Sequence, residues 1–178
     1  MHPAQPERSL ILGTNKARAP QGAVGVYNLQ GRLVQLVSHL DQPNNIDVAY
    51  GFRLGNRKID IAVATEPTHA PHRKIALFAT HFQGDQEGIA VYAPEESAGW
   101  LICVEQLPDN SLWYLYPRFG RQQEPIAVVE SGADETDGLD ACAQPMGRAF
   151  PAGVIVAMNS KERNFLLYSA ADLRAKLR

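Results

Sequence analysis

The sequence is poor in the features that mark several large classes of protein. It has only two cysteines, Cys103 and Cys142, whose spacing fits no metal motif, so we interpret them as buried thiols and leave a disulfide open. No apolar run approaches the roughly 20 residues that span a bilayer, and the start, MHPAQPERS, lacks the pattern of a signal peptide. The net charge of -2 gives no basic footprint. Neither a membrane nor a nucleic acid is expected as a partner.

What the chain does contain is a succession of short apolar runs. Glycine, proline, aspartate and asparagine separate them about every 8–12 residues, which is typical of an all-β protein. Gln30-Gly31 lies between two such runs and predicts a hairpin turn. In KIDIAVAT (58–65), Ile59, Ile61 and Val63 alternate with smaller or polar residues, which predicts a strand with one apolar face. The predicted strands are Ser9–Asn15, Ala23–Leu29, Arg32–Ser38, Asn45–Tyr50, Lys58–Thr65, Lys74–Thr80, Gly88–Tyr92, Trp100–Glu105, Leu112–Pro117, Ile126–Glu130, Gly153–Met158 and Asn164–Ser169.

These strands fall into four groups, near 9–40, 44–80, 87–130 and 137–169. The spacing is close to the ~40–45 residues of a propeller blade. Periodicity alone leaves a propeller and a sandwich equally open. Only the tail, 170–178, has helical composition, and it is too short to organise a fold.

One stretch is rich in acid. Glu130 to Ala141, ESGADETDGLDA, carries five carboxylates and two glycines. Carboxylates this close repel one another unless a cation lies among them, and oxygen ligands on a turn-prone backbone suit calcium. The alternative is a solvated acidic loop. His69, His72 and His81 have no zinc-like spacing, and we interpret them as loop residues.

Several motifs, in order, resemble the β-propeller phytases. They are ILGTNK (11–16), GVYNLQGRLVQ (25–35), NNIDVAYGFRL (44–54), KIDIAVAT (58–65), DQEGIAVY (85–92), ETDGLD (135–140) and FPAGVIVAMNS (150–160). The resemblance implies a calcium-dependent 3-phytase-like enzyme and a propeller that has six blades in the family. Residues 8–80 resemble the first blades and 85–173 the last, so we expect a single domain, 1–178, with about four blades of short antiparallel strands.

The chain also departs from that family. Its start shows no counterpart of the family's D-D-P-A segment, and the halves join between Thr80 and Asp85, where the family has its middle blades. Pro67 and Ser131 stand near positions where relatives have an arginine and an aspartate. Such a remnant would close as a smaller ring, stay open, or pair with a second copy. Unpaired blade edges favour a homodimer.

The resemblance also implies roles for particular residues. Asp85, Glu87 and Asp137 match residues of its catalytic calcium site, with Gly138 allowing a tight turn. Lys16 and Arg18 are the expected cations for substrate phosphate. The expected calcium ligands are Asn45, Asp47, Asp85, Glu87, Gln106 and Asp137. The residues alone allow simpler interpretations: Asp85 and Glu87 as an exposed pair of charges, Asn45 and Asp47 as a turn cap, and Lys16 as a solvated loop residue.

The resemblance therefore predicts calcium-dependent hydrolysis of the phosphate monoesters of phytate (myo-inositol hexakisphosphate) or a similar ester by a metal-activated water. The alternative is an inactive propeller fragment that binds calcium, a polyanion or a protein, and a third hypothesis is a gene fragment that does not fold by itself. The family is typically secreted or periplasmic, whereas no export signal is visible at the start of this sequence.

Overall fold

The computed structural model describes residues 5–54, 56–66, 82–95, 98–119 and 124–177. Within these ranges the chain is all-β, with a short 3₁₀ turn at Pro6–Arg8 and a helix, α1, at Ala170–Lys176. The strands are β1 Leu10–Asn15, β2 Gly22–Asn28, β3 Leu33–Leu40, β4 Ile46–Leu54, β5 Arg57–Ala64, β6 Asp85–Glu95, β7 Ala98–Leu107, β8 Asn110–Pro117, β9 Ala127–Glu130, β10 Leu139–Cys142, β11 Val154–Asn159 and β12 Asn164–Ser169.

The strands form four separate antiparallel sheets, in the orders β1-β2-β3, β4-β5, β6-β7-β8-β9 and β10-β11-β12. This confirms the all-β prediction and the four groups, and sheets of two to four consecutive strands are compatible with propeller blades. One strand, β10, was missed. The strand predicted at Lys74–Thr80 and the three histidines His69, His72 and His81 lie outside the described residues, as does Pro67.

The chain divides into two compact units. The first comprises Met1–Ile46 and Ala64–Ile75, and the second comprises Asp47–Val63 and Ala76–Arg178. In the first unit, β1 pairs with β2 and β2 with β3. The Gln30-Gly31 hairpin is confirmed: Gly31 has a φ of 76°, and the Asn28 side chain accepts the amide protons of Gln30 and Arg32. A positive φ is readily adopted only by glycine, which explains its place in this turn.

In the second unit, the four-stranded sheet β6–β9 is packed on both faces. One face contributes Tyr92, Ile102 and Trp113 to a core shared with β10, β11 and α1. The other face contributes Ile89, Leu101 and Cys103 to a smaller core shared with β4 and β5. Each large apolar side chain removed from water stabilises the fold by about 1.5–3 kcal/mol. Sheets that bury both faces against neighbouring sheets are what blade-on-blade stacking requires.

The smaller core also confirms the alternation predicted for KIDIAVAT. Ile61 and Val63 pack against it, whereas Asp60 and Ala62, which alternate with them in sequence, are exposed. Cys103 is buried and Cys142 half-buried, and both thiols are free, which answers the disulfide question. No helix in the described ranges is long and apolar enough to span a membrane.

Candidate functional site

The first part of the candidate site is the start of β6. Asp85 opens the strand, is exposed, and lies opposite Gln106 in the β6–β7 ladder. The structure therefore brings together two of the predicted calcium ligands. A register shift follows between Gln86 and Ile89, so that Glu87 and Gly88 lie in a β-bulge. Glu87 is buried there, with only 6% of its surface exposed.

Gly88 brings this part of β6 against β10. A Cβ on Gly88 would lie 2.6 Å from Cδ2 of Leu139 and 3.1 Å from the backbone nitrogen of Leu139. Only a residue without a side chain allows so close an approach. Leu139 begins β10, two residues after Asp137. The D-x-E-G motif (85–88, within DQEGIAVY) and the T-D-G motif (136–138, within ETDGLD) are therefore brought together by the contact of Gly88 with Leu139.

The acidic stretch divides into anchoring and exposed residues. The buried Asp134 accepts the amide protons of Ser160 (2.8 Å) and Lys161 (3.2 Å) through Oδ1. The buried Thr136 hydroxyl donates to the carbonyl of Met158 at 2.7 Å. Both contacts fix the loop to β11 and the turn after it, whereas Asp137 is exposed. The loop is thus held by Asp134 and Thr136, with Asp137 presented to solvent.

Ser131, where the resemblance expects an aspartate, serves the same loop. Its hydroxyl lies 2.6 Å from the Ser111 hydroxyl and accepts the amide proton of Ala133 at 3.1 Å. In this chain the position therefore contributes to local structure.

Asp47 links two sheets of the second unit. Its Oδ1 accepts the amide proton of Val48, and its Oδ2 accepts that of Val91 on β6, both at 2.6 Å. Burial raises the pKa of the Asp47 carboxyl, and the charge of Asp140 raises it further, while the two amide protons lower it. Each carboxylate oxygen already holds an amide proton, so Asp47 serves a structural function in addition to any ligand role.

The remaining predicted residues lie in the first unit. Lys16 and Arg18 are exposed in the connection between β1 and β2, where the carbonyl of Arg18 accepts the amide proton of Gln21. The backbone amide of the half-buried Asn45 donates to the Thr65 hydroxyl, and its carbonyl accepts the amide proton of Thr65. These contacts hold loop and strand backbone, and the phosphate-binding and metal roles stay predictions.

The donor set at β6 and β10 suits a hard cation by its chemistry, since Asp85, Glu87 and Asp137 offer carboxylates and Gln106 an amide oxygen. Across the described ranges, however, no three His, Cys, Asp or Glu side chains are grouped closely enough to hold a metal ion. A calcium site would therefore need the amide of Gln106, backbone carbonyls, water or substrate oxygens to complete its ligands.

Sequence reasoning missed Glu105, the most deeply buried carboxylate near this site. It is 1% exposed, and its Oε1 accepts the amide protons of Gln83 and of Gly84, the latter at 2.6 Å. Its Oε2 accepts the hydroxyl proton of Tyr114 at 2.7 Å. A signal was present, because Glu105 continues the inward alternation of Leu101 and Cys103.

Residues 1–81 match the model of the Phytase family. That segment contains Lys16, Arg18, Asn45 and Asp47, whereas Asp85, Glu87, Gln106 and Asp137 lie beyond it. With the four antiparallel sheets, this match supports a phytase-like β-propeller and, at the level of the family, a phytase-like phosphohydrolase.

Proposed function

We propose that this protein is a calcium-dependent, 3-phytase-like phosphoric monoester hydrolase acting on phytate or a related polyphosphate ester. The observation that carries the proposal is the contact of Gly88 with Leu139, which joins the D-x-E-G and T-D-G motifs at one place. The match of the first 81 residues to the Phytase family supports it independently.

Four residues of the second unit are the proposed calcium ligands at this place: Asp85, Glu87, Gln106 and Asp137. Bound calcium would neutralise phosphate charge and lower the pKa of a water molecule. The chain's own contribution is positional. The β-ladder holds Asp85 opposite Gln106, the bulge fixes Glu87, and Gly88 keeps the start of β10, two residues after Asp137, against β6.

The exposure of Asp85 and Asp137 suits a large and strongly anionic substrate, because a buried site would have to strip water from every phosphate group. Their negative charge would repel phosphate without a cation. The electrostatics of the proposed site therefore call for a cation, and its oxygen ligands suit calcium.

The test is phosphate release from phytate by the wild-type chain and by Asp85→Asn, with calcium and with EGTA. We expect release that EGTA abolishes, and a loss of at least about tenfold in Asp85→Asn. Glu95→Gln is the matched control, since Glu95 is an exposed acid at the far end of the same strand. Equal rates for Asp85→Asn and Glu95→Gln would refute the assignment of Asp85.

Both Asp47 oxygens are engaged, and no three His, Cys, Asp or Glu side chains of the described residues are close enough to hold a metal ion, which weighs against a complete catalytic calcium site. These observations favour a second function, a non-catalytic module that binds a polyanion, or calcium with reduced affinity. Calcium-dependent thermal stabilisation without turnover would establish this alternative.

A further inference from the structure

The segment that leads into β6 is held by three contacts, which we call the β6 clasp. The Phe82 ring packs on the Tyr114 ring, with centroids 4.5 Å apart. The amides of Gln83 and Gly84 donate to Glu105. A Cβ on Gly84 would lie 2.1 Å from the carbonyl oxygen of Gln106, so the chain passes directly over that peptide.

The carboxylate of Glu105, at the centre of the clasp, is buried at a cost in free energy. A buried charge destabilises a protein unless hydrogen bonds or an opposite charge compensate for it. Within the part of the chain that the structure describes, Glu105 has two backbone amides and the phenol of Tyr114 as partners, and none of them is a cation. Two of its three hydrogen bonds hold residues 83 and 84 at the entry to β6, and the third partner, Tyr114, packs on Phe82.

The clasp acts directly beside the proposed calcium ligands. Gly84 is followed by Asp85, and Glu105 is followed by Gln106, which pairs with Asp85 in the ladder. Loss of the Glu105 contacts would release the backbone immediately before Asp85. Gln106 would keep its place in β7, because β8 pairs with it on the other side, opposite Ser111.

We propose that Glu105 is a positioning residue for the calcium site, holding Asp85 in register with Gln106 through the amides of Gln83 and Gly84. Tyr114 supports it by donating to its second oxygen. Burial and Glu105 together raise the pKa of Tyr114 to about 12, so the phenol remains a donor throughout the neutral range. The inference rests on the proposed function for its calcium role, but the clasp itself does not depend on calcium.

The experiment measures two properties of the full chain in Glu105→Gln, Glu105→Ala and Tyr114→Phe. Amide hydrogen exchange at Gln83 and Gly84, measured without calcium, reports on the clasp. Calcium affinity, measured by calorimetry well below the unfolding midpoint of each variant, reports on the site. Glu95→Gln again serves as the matched acid-to-amide control.

We expect faster exchange at both amides in Glu105→Ala, with a calcium affinity that is about 10–100-fold weaker, as is typical when a group supporting a ligand is removed. Glu105→Gln and Tyr114→Phe retain part of the hydrogen bonding, so smaller changes of the same sign are expected, and Glu95→Gln should match the wild type. A structural role alone would lower the unfolding midpoint and leave the calcium affinity of the folded variants unchanged.

The outcomes separate the two proposals. Unchanged exchange at Gln83 and Gly84 would overturn the clasp, whatever calcium does. Faster exchange with unchanged calcium affinity would overturn the positioning role while leaving the proposed function intact. If the wild-type chain binds no calcium, the proposed function and the positioning role are both overturned, although faster exchange would still confirm the clasp contacts.

Discussion

Substitution of Gly88 by alanine tests whether β6 and β10 meet as the structure shows. The added Cβ would lie 2.6 Å from Leu139 Cδ2, and 3.1 Å from both the Leu139 nitrogen and Val104 Cγ2. The Leu139 side chain can rotate away, but its backbone is fixed by pairing with Ala157 in β11. Overpacking of this kind destabilises a protein by about 1–3 kcal/mol. In a chain of this size, that lowers the unfolding midpoint by roughly 2–4 °C for each kcal/mol.

The assay is thermal and urea unfolding of Gly88→Ala, Leu139→Ala and the double variant. Leu139→Ala removes the nearest clashing atoms, so the double variant should be more stable than the sum of the two single effects predicts. Gly13→Ala is the control for adding a methyl group to a strand glycine, because its nearest neighbour, Tyr27 Cε2, is 3.9 Å away. Additive effects, or a Gly88→Ala variant as stable as Gly13→Ala, would refute the packing of β6 on β10.

Three further predictions follow from burial and exposure. At pH 8 a thiol reagent should label the half-buried Cys142 quickly and the 4% exposed Cys103 only when the chain unfolds. The Cys142→Ser variant isolates the labelling of Cys103, and equal labelling rates for the two thiols would contradict the burial of Cys103 in the core. Burial raises the pKa of Cys103 from 9.0 to about 12, so the thiol of the unfolded chain loses its proton at a lower pH than the thiol of the folded chain. The free energy of unfolding should therefore fall as the pH rises between those two values, by at most about 1.4 kcal/mol per pH unit. Cys103→Ala should remove that part of the alkaline decline, and an unchanged pH profile would contradict it. Finally, residues 33–37 of β3 are exposed on both faces, with the adjacent Leu36 and Val37 54% and 38% exposed, and no other described strand pairs with the outer edge of β3. We therefore expect a homodimer that Leu36→Lys weakens in sedimentation, and a monomeric wild type would exclude it.

The strands that the sequence predicted correctly are those with a strong local signal. The two apolar runs on either side of the Gln30-Gly31 turn are sufficient to predict a hairpin. The period of two in KIDIAVAT is sufficient to predict a strand with one apolar face. β10, LDAC, was missed because it is four residues long and mixes Asp140 with Ala141. Its pairing with β11 and its packing on β6 are tertiary effects that no local pattern reports.

The candidate site was predictable in part. The D-x-E spacing and the resemblance indicated Asp85, and the ladder places it opposite Gln106. The engagement of Asp47 by Val91 could not be read from sequence, because these residues are 44 positions apart and meet only through packing of separate sheets. The inward alternation of Leu101 and Cys103 reaches Glu105, but its partners, two backbone amides and the phenol of Tyr114, meet it only through strand pairing and packing.

The measurement that tests the central claim most directly is a time course of inorganic phosphate release from phytate by the purified wild-type chain, in calcium and in EGTA. A phytase-like propeller with a working calcium site predicts sustained release in calcium and none in EGTA. No release in calcium from a chain that unfolds cooperatively would contradict the proposed activity, and equal release in both buffers would contradict the role of calcium.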